Sequence, residues 1–283
     1  MAGKAGINGR RMMKRRKRRA NMIEHKPRLE GKVAIVTGAG SRGPGIGNGK
    51  ATAILFAREG AKVMLIDRFP ERVQETADII SSEGGEASVS TADVTKLEDC
   101  KIIIETVVER YGRLDILHNN VGVESKGTVV DMDLAEWDTV INVNLKSMVL
   151  TSRFAIPQMI KGGGGAIINI SSLSALRPRG FTAYSAAKGG VISLTRAMAE
   201  THAKDNVRVN CIIPGAVFTP MVAESITNEI RERRILATPL QTEGTAWDVA
   251  WAAVYLASDE ARWITGIGLP VDGGMLLTRQ RYW

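Results

Sequence analysis

Val33-Ala34-Ile35-Val36-Thr37 runs directly into Gly38-Ala39-Gly40-Ser41-Arg42-Gly43-Pro44-Gly45-Ile46-Gly47-Asn48-Gly49, and an Ala-rich stretch to Glu59 follows. A β-branched run, a glycine cluster and a helix-forming segment, in that order, describe a strand that turns sharply into a helix. Glycines let the main chain approach a pyrophosphate closely, and the helix N-terminus then offers free N–H groups and its positive dipole end to the anion. Asp67 closes the next β-branched run. A carboxylate there can accept both ribose hydroxyls of an adenosine and repels a 2′-phosphate. These residues predict an NAD site with Gly38, Ser41, Gly47 and Asn48 at the phosphates and Asp67 and Arg68 at the adenosine. Arg68 and Arg42 could instead pair with a 2′-phosphate, so NADP is the alternative.

The alternation continues along the chain. Strand-like runs at Val33–Thr37, Lys62–Ile66, Ala87–Thr91, Asp115–His118, Ala166–Ile170, Arg208–Ile212 and Gly268–Val271 are separated by helical patterns. Those patterns cover Lys50–Glu59, Glu71–Glu83, Leu97–Tyr111, Leu134–Lys161, Ala183–Ala203 and Ala246–Ser258. Such spacing means βαβ units. The expected class is α/β: a single-domain Rossmann fold with a doubly wound, parallel seven-stranded sheet, helices on both faces and right-handed crossovers. Pro270 suits an edge strand.

Of 283 residues, 44% are hydrophobic and 24% charged, which excludes collagen, a disordered polymer and a disulfide-stapled mini-protein. The net charge of +8 is uneven. Residues 1–28 hold eleven Lys/Arg against one acid, Glu24, so this segment carries +10 and the rest −2. Residues 1–28 therefore read as a basic, disordered tail, and 29–283 as a nearly neutral body without a specific nucleic-acid surface. No apolar core follows the basic run, so a secretory signal is not expected. A transit peptide, a tether to anionic lipid or nucleic acid, and translation from Met22 all stay open. Cys100 and Cys211 lack zinc spacing and read as free thiols in a reducing, cytoplasmic compartment. No run approaches the ~20 apolar residues that span a membrane, and no metal cluster appears. His118 reads as a satisfied core histidine, whereas His25 and His202 show no partner pattern.

Tyr184-Ser185-Ala186-Ala187-Lys188 opens a helical pattern, and its i, i+4 spacing puts a phenol and an ammonium on one face. A nearby cation favours the phenolate and lowers a pKa that is ordinarily near 10. Ile170-Ser171-Ser172 ends a strand at the carboxyl edge of the sheet, where open α/β sheets place ligands.

With these residues in place, the chain over 29–283 resembles the short-chain dehydrogenases/reductases. The matching pieces are Thr37-Gly38 with its glycine turn, Asp93-Val94, Asn119-Asn120-Val121-Gly122, Asn144, Ser172, Tyr184 with Lys188, Pro214-Gly215 with Thr219, and Val271-Asp272-Gly273-Gly274. The resemblance implies Tyr184 as general acid/base, with Lys188 lowering its pKa and binding the nicotinamide ribose. It implies Ser172, rather than Ser171, as the group orienting the reacting oxygen, and Asn144 as holder of a relay water, with Asn142 a structural amide. Asp93 and Val94 would meet the adenine, and Asn120, Val121 and Gly122 would line the cofactor. Pro214, Gly215, Val217 and Thr219 would hold the nicotinamide end. A homo-oligomer, a tetramer, is implied as well, and the largely uncharged segment Gly268–Leu277 reads as the edge strand that would be covered in it.

The glycine turn departs from the family by about five extra residues. Counting back from Arg58-Glu59-Gly60-Ala61 puts the Gly-x-Gly pair at Gly47-Asn48-Gly49, with Gly45-Ile46-Gly47 as the competing register. The insertion either closes over the pyrophosphate or bulges into solvent. Thr219–Gly244 is expected to form a loop-helix lid. Arg177 and Arg179 could steer an anionic substrate, although a solvated loop is the favoured reading. The leading function is NAD(H)-dependent interconversion of a small secondary alcohol and its ketone. Alternatives are an NADPH-dependent 3-oxoacyl-thioester reductase and a non-catalytic nicotinamide-binding regulator.

Overall fold

The computed structural model describes residues 26–178, 180–223 and 226–278. Strand β1 (Val33–Thr37) is followed by α1 (Asn48–Arg58), β2 (Lys62–Asp67), α2 (Pro70–Ser82), β3 (Ala87–Thr91), α3 (Leu97–Tyr111) and β4 (Ile116–Asn119). Then come α4 (Leu134–Ile141), α5 (Ser147–Lys161), β5 (Gly165–Ile170), α6 (Thr182–His202) and β6 (Val207–Pro214). The chain continues through β7 (Val217–Phe218), α7 (Pro220–Ala223), α8 (Asn228–Leu236), β8 (Gly244–Thr245), α9 (Ala246–Ala257) and β9 (Gly268–Val271).

Seven strands form one parallel sheet in the order β3-β2-β1-β4-β5-β6-β9, the doubly wound Rossmann arrangement. β7 and β8 pair separately. Strand side chains alternate between two cores, as a period of two requires. Ala34, Val36, Val63 and Leu65 pack with α1, α2 and α9 on one face. Val33, Ile35, Met64 and Ile66 pack with α3, α5 and α6 on the other. At roughly 25 cal/mol per Å² of apolar surface, this two-sided burial is the main force holding the sheet. The strand order reverses between β1 and β4, which opens a crevice at their carboxyl ends.

Several local features differ from the sequence expectation. The helix expected over Leu134–Lys161 contains a π-helical turn at Asn142–Lys146, a one-residue bulge that a 3.6-residue period does not reveal. The edge segment Gly268–Leu277 is strand only over Gly268–Val271, the run that the strand pattern marks. Beyond it Asp272 accepts from the main-chain N–H groups of Gly274 and Leu276 and turns the chain into a 3-10 helix, Met275–Leu277. Arg28 joins the body: its N–H donates to Glu59 and its guanidinium pairs with Glu260 at 2.5 Å. His118 is fully buried against Phe56, but neither ring nitrogen has a hydrogen-bond partner among the described residues, so it is not the satisfied core histidine expected. His202 does have a partner, Asp205, at 3.4 Å, while His25 lies outside the described residues. Cys100 and Cys211 are buried free thiols, both pushed up in pKa by burial.

Candidate active site

The crevice is a cleft of about 950 Å³. At one end are Asp67, Arg68 and Arg72; at the other are Ser172, Tyr184 and Lys188. Gly38, Ser41, Gly47, Asn48, Asp93, Val94, Asn120, Val121, Gly122, Pro214, Gly215, Val217 and Thr219 all line it.

The glycine turn is built on one side-chain bond. Ser41 Oγ accepts from the Gly47 N–H at 2.9 Å and pinches off residues 42–46 as a bulge. Pro44 and Gly45 are exposed, while Arg42 still reaches the cleft wall. The tip of the bulge is thus exposed, while Ile46 packs against the core and Gly45 lies near Pro220, so the insertion takes neither of the two courses purely. Gly47 is the N-cap of α1, and Gly49 is packed so tightly that a Cβ there would lie 2.0 Å from Gly38 O and 2.5 Å from Asn120 Nδ2. This close approach selects the Gly47-Asn48-Gly49 register. Asn120 fastens the turn to β4, its Nδ2 donating to Gly38 O at 3.1 Å and its N–H to Thr37 Oγ1 at 3.1 Å.

At the adenosine end, Asp67 Oδ2 accepts from the Gly40 N–H at 3.3 Å and Oδ1 from the Phe69 N–H at 3.1 Å. Arg68 and Arg72 do not pair with this carboxylate; both guanidinium groups lie over the Phe69 ring, at 4.7 and 4.0 Å. Nearby, burial works against the Asp93 carboxylate. Hydrogen bonds from Thr95 and the cations Lys96 and Arg68 outweigh it and hold the pKa below the ordinary value.

The residues at the opposite end are set by β5 and α6. Ser171 and Ser172 both line the cleft, but Ser171 is buried and its hydroxyl donates to Lys188 O at 2.8 Å, a structural bond that leaves Ser172 the freer hydroxyl of the pair. Ser172 and Tyr184 line the cleft together, and the Ser172 hydroxyl favours the phenolate. Lys188 Nζ lies 5.7 Å from the Tyr184 ring centre and donates to Ile170 O at 2.9 Å. The phenol's pKa is not lowered as expected. Burial is the largest influence and, with the Glu124 charge, pushes it up to about 12, against the opposing Ser172 hydroxyl. Burial also pushes Lys188 down to about 8.

Asn144 does not line the cleft. It is fully buried in the π turn, where its Nδ2 donates to Val123 O and Val140 O at 2.9 and 3.0 Å and its Oδ1 accepts from the Val123 N–H at 3.2 Å. Its donors are thus committed to main chain, and the neighbouring Asn142, expected to be structural, lines the cleft instead. Arg177 neither faces solvent alone nor lines the cleft: it donates to Met275 O and Thr278 Oγ1. Arg179 lies outside the described residues. The lid region supplies Met221, Val222, Ile226, Ile230 and Arg234 to the wall. Sequence reading missed Arg72, Glu124 and Arg234, which carry no motif. Arg72 and Arg234 sit in ordinary charged helical stretches and reach the cleft only through the packing of α2 and α8.

The site fits a dinucleotide on two observations. The Gly38–Gly49 contact leaves the helix N-terminus beside bare main chain. Asn48 Oδ1, in the first turn of α1, is buried without a hydrogen-bond partner among the described residues. Among those residues no group of three His, Cys, Asp or Glu could hold a metal, and no helix is long and apolar enough to cross a membrane.

Comparison with known proteins agrees with this architecture. Residues 43–276 match a family described as enoyl-(acyl carrier protein) reductase. The chain is 39% identical over 251 residues to the 3-oxoacyl-[acyl-carrier-protein] reductase FabG of Thermotoga maritima, an alignment covering 88% of this chain and all of the relative. A Burkholderia xenovorans structure classed with the short-chain dehydrogenases/reductases superposes with a TM-score of 0.86 at 42% identity, over 90% of this chain and 100% of that one. A 7 alpha-hydroxysteroid dehydrogenase complexed with NADH and 7-oxo glycochenodeoxycholic acid superposes at 0.83 with 35% identity, over 88% and 96%.

Proposed function

The chain belongs to the short-chain dehydrogenase/reductase family, and from that membership we propose an NAD-dependent oxidoreductase that interconverts a small secondary alcohol and its ketone. The observation that carries this reading is the convergence of Ser172, the Tyr184 phenol and the Lys188 ammonium, which lies 5.7 Å from the ring centre, in the cleft that also holds Asp67.

Gly38, Gly47 and Asn48 would hold the pyrophosphate, with Ser41 fixing their turn. Asp67 and Asp93 would hold the adenosine, and Lys188 with Pro214, Gly215, Val217 and Thr219 the nicotinamide end. The bound nicotinamide supplies the hydride donor or acceptor. The protein's own groups handle the proton at the substrate oxygen. Tyr184 Oη donates it during reduction and takes it during oxidation, and Ser172 Oγ orients the same oxygen. A phenol near 12 is protonated at neutral pH and ready to donate. Oxidation requires the phenolate, which the Lys188 ammonium favours. Asn144 acts by position, tying the π turn to Val123 beside Gly122. We also place the protein in a homotetramer, built over the edge strand β9; light scattering reporting a monomer at micromolar concentration contradicts it.

A second reading, an NADPH-dependent 3-oxoacyl-thioester reductase, draws support from the Thermotoga relative and from Arg42, Arg68 and Arg72 along the cleft. Turnover with NAD(H) and NADP(H) against secondary alcohols, ketones and 3-oxoacyl thioesters tests both. Absence of any nicotinamide-linked turnover would defeat them together.

A further inference from the structure

The three arginines of α8 meet different partners. Arg231 pairs with Glu243, its Nε and Nη2 donating at 2.7 and 2.5 Å, and Arg233 pairs with Glu229 at 2.5 Å. Neither lines the cleft. Arg234 does; it is half-buried, and Nη2 donates to Val217 O at 3.1 Å. Among the described residues no carboxylate comes within ion-pair distance of it. Burial holds its pKa below the ordinary arginine value, partly offset by Glu124 and Glu243 acting from farther away.

The Val217 bond fixes where in the cleft this cation stands. Val217 follows the end of β6, which pairs with the end of β5 through Ile212 and Ile170, next to Ser172. Arg234 therefore belongs to the reacting end, opposite Asp67 and Arg72, with Glu124 in the same cleft. Met221, Val222, Ile226 and Ile230, from the same stretch of chain, line the same cleft. A desolvated guanidinium without a counter-ion is costly, and its planar fork of donors suits an oxyanion bound through two parallel bonds. The Val217 bond holds the fork in place before a ligand arrives. Glu124 in the same space disfavours a doubly charged phosphate and leaves a singly charged group as the better match.

We propose that the substrate carries a carboxylate bound by Arg234, so that this residue selects oxo and hydroxy acids over neutral ketones and alcohols. The inference rests on the alcohol–ketone reading above and names the substrate class of that site.

The test uses the full chain and matched pairs: an aliphatic oxo acid against its primary amide, and a 3-oxoacyl N-acetylcysteamine thioester as a neutral thioester. Wild type is expected to favour the acid in kcat/KM by tenfold or more. Arg234→Ala is expected to cut the acid-to-amide ratio roughly 10–100-fold, the range of a charge-assisted bond, chiefly through KM. Arg234→Lys should keep part of the ratio. Arg233→Ala, outside the cleft, should keep all of it. Arg234→Gln, which retains a donor for Val217, replaces alanine if alanine impairs folding.

An amide or thioester used as well as the acid, or an unchanged ratio in the Arg234 variants, overturns the proposal. Calorimetric binding of an unreactive carboxylate to the protein with NAD separates this failure from failure of the redox reading. Binding that is lost in Arg234→Ala, without turnover in wild type, upholds the carboxylate site and sinks the redox reading. Turnover without any Arg234-dependent binding does the reverse.

Discussion

Lys188 and Ser171 stitch α6 to the end of β5 in both directions: Lys188 Nζ donates to Ile170 O at 2.9 Å, and Ser171 Oγ donates to Lys188 O at 2.8 Å. The two bonds fix the helix that carries Tyr184 against the strand end that carries Ser172. They also explain why a lysine is tolerated at 2% exposure, since its ammonium has a main-chain acceptor inside the fold. The relative placement of the proposed catalytic groups is thus set by backbone contacts.

Replacement of Tyr184 by Phe removes the transferable proton and leaves the ring packing. Turnover should fall by at least the ~10²–10⁴ of a general acid–base group, with NADH affinity nearly unchanged. In wild type, alcohol oxidation should accelerate as pH rises above 7, because a phenol near 12 is almost wholly protonated there. Loss of the Lys188 charge above about 8 should blunt that rise. Steady-state rates and fluorescence titration of NADH check both points; a variant as active as wild type removes Tyr184 from the chemistry.

His118 makes the fold acid-sensitive. It is fully buried beside Phe56, 6.0 Å between ring centres, and burial pushes its pKa from 6.5 down to about 3. The unfolded chain takes up the proton below 6.5, the folded chain only near 3, so stability is complete above 6.5 and is lost as pH falls through that window. The full swing is on the order of 5 kcal/mol. His118→Leu should flatten this dependence. Urea midpoints at pH 7.5 and 4.5 should separate less in the variant than in wild type, and equal separation would show that the ring is hydrated in the fold.

The parallel sheet was legible because its signal is local: β-branched runs and amphipathic helices alternate at fixed spacing, and three strands match to the residue, Val33–Thr37, Ala87–Thr91 and Gly268–Val271. Ser172, Tyr184 and Lys188 were legible because their spacing puts them on one strand end and one helix face. Asn144 was not, because a π turn changes which of Asn142 and Asn144 meets the cleft. Arg177 and Arg234 were not, because an arginine's partner is decided by tertiary packing. The first is claimed by Met275, 98 positions later, and the second is left without a carboxylate.

Gly49 and Gly45 should respond differently to alanine. A Cβ at Gly49 meets the Gly38 carbonyl oxygen at 2.0 Å, so the phosphate turn or α1 must move. A cost of about 2–3 kcal/mol follows, typical of core overpacking. Gly45 has φ +110° but its Cβ would approach only Pro220 at 3.5 Å, so the penalty there is backbone strain in an exposed bulge. Thermal melts and NADH titration should show Gly49→Ala impaired in both stability and affinity, with Gly45→Ala milder. The opposite ranking would restore the Gly45-Ile46-Gly47 register.

Asp67 should decide the cofactor. Its carboxylate is held at the cleft by the Gly40 and Phe69 N–H groups and forms no ion pair with Arg68 or Arg72, whose guanidinium groups stack on Phe69. The negative charge is therefore uncompensated where the adenosine ribose would lie. A 2′-phosphate there meets it at a half-buried position, a clash worth ~2–3 kcal/mol, or roughly 30–150-fold in affinity. NAD should be preferred by about that factor in kcat/KM. Asp67→Ala should narrow or reverse the preference, since it removes the repulsion and leaves Arg68 and Arg72 able to swing from Phe69 to a phosphate. Arg72→Ala alone should leave NAD use intact and weaken whatever NADP use exists. Steady-state kinetics with both cofactors measure this directly, and a wild-type enzyme more efficient with NADP would mean that the arginines leave Phe69 for the phosphate and outweigh the carboxylate.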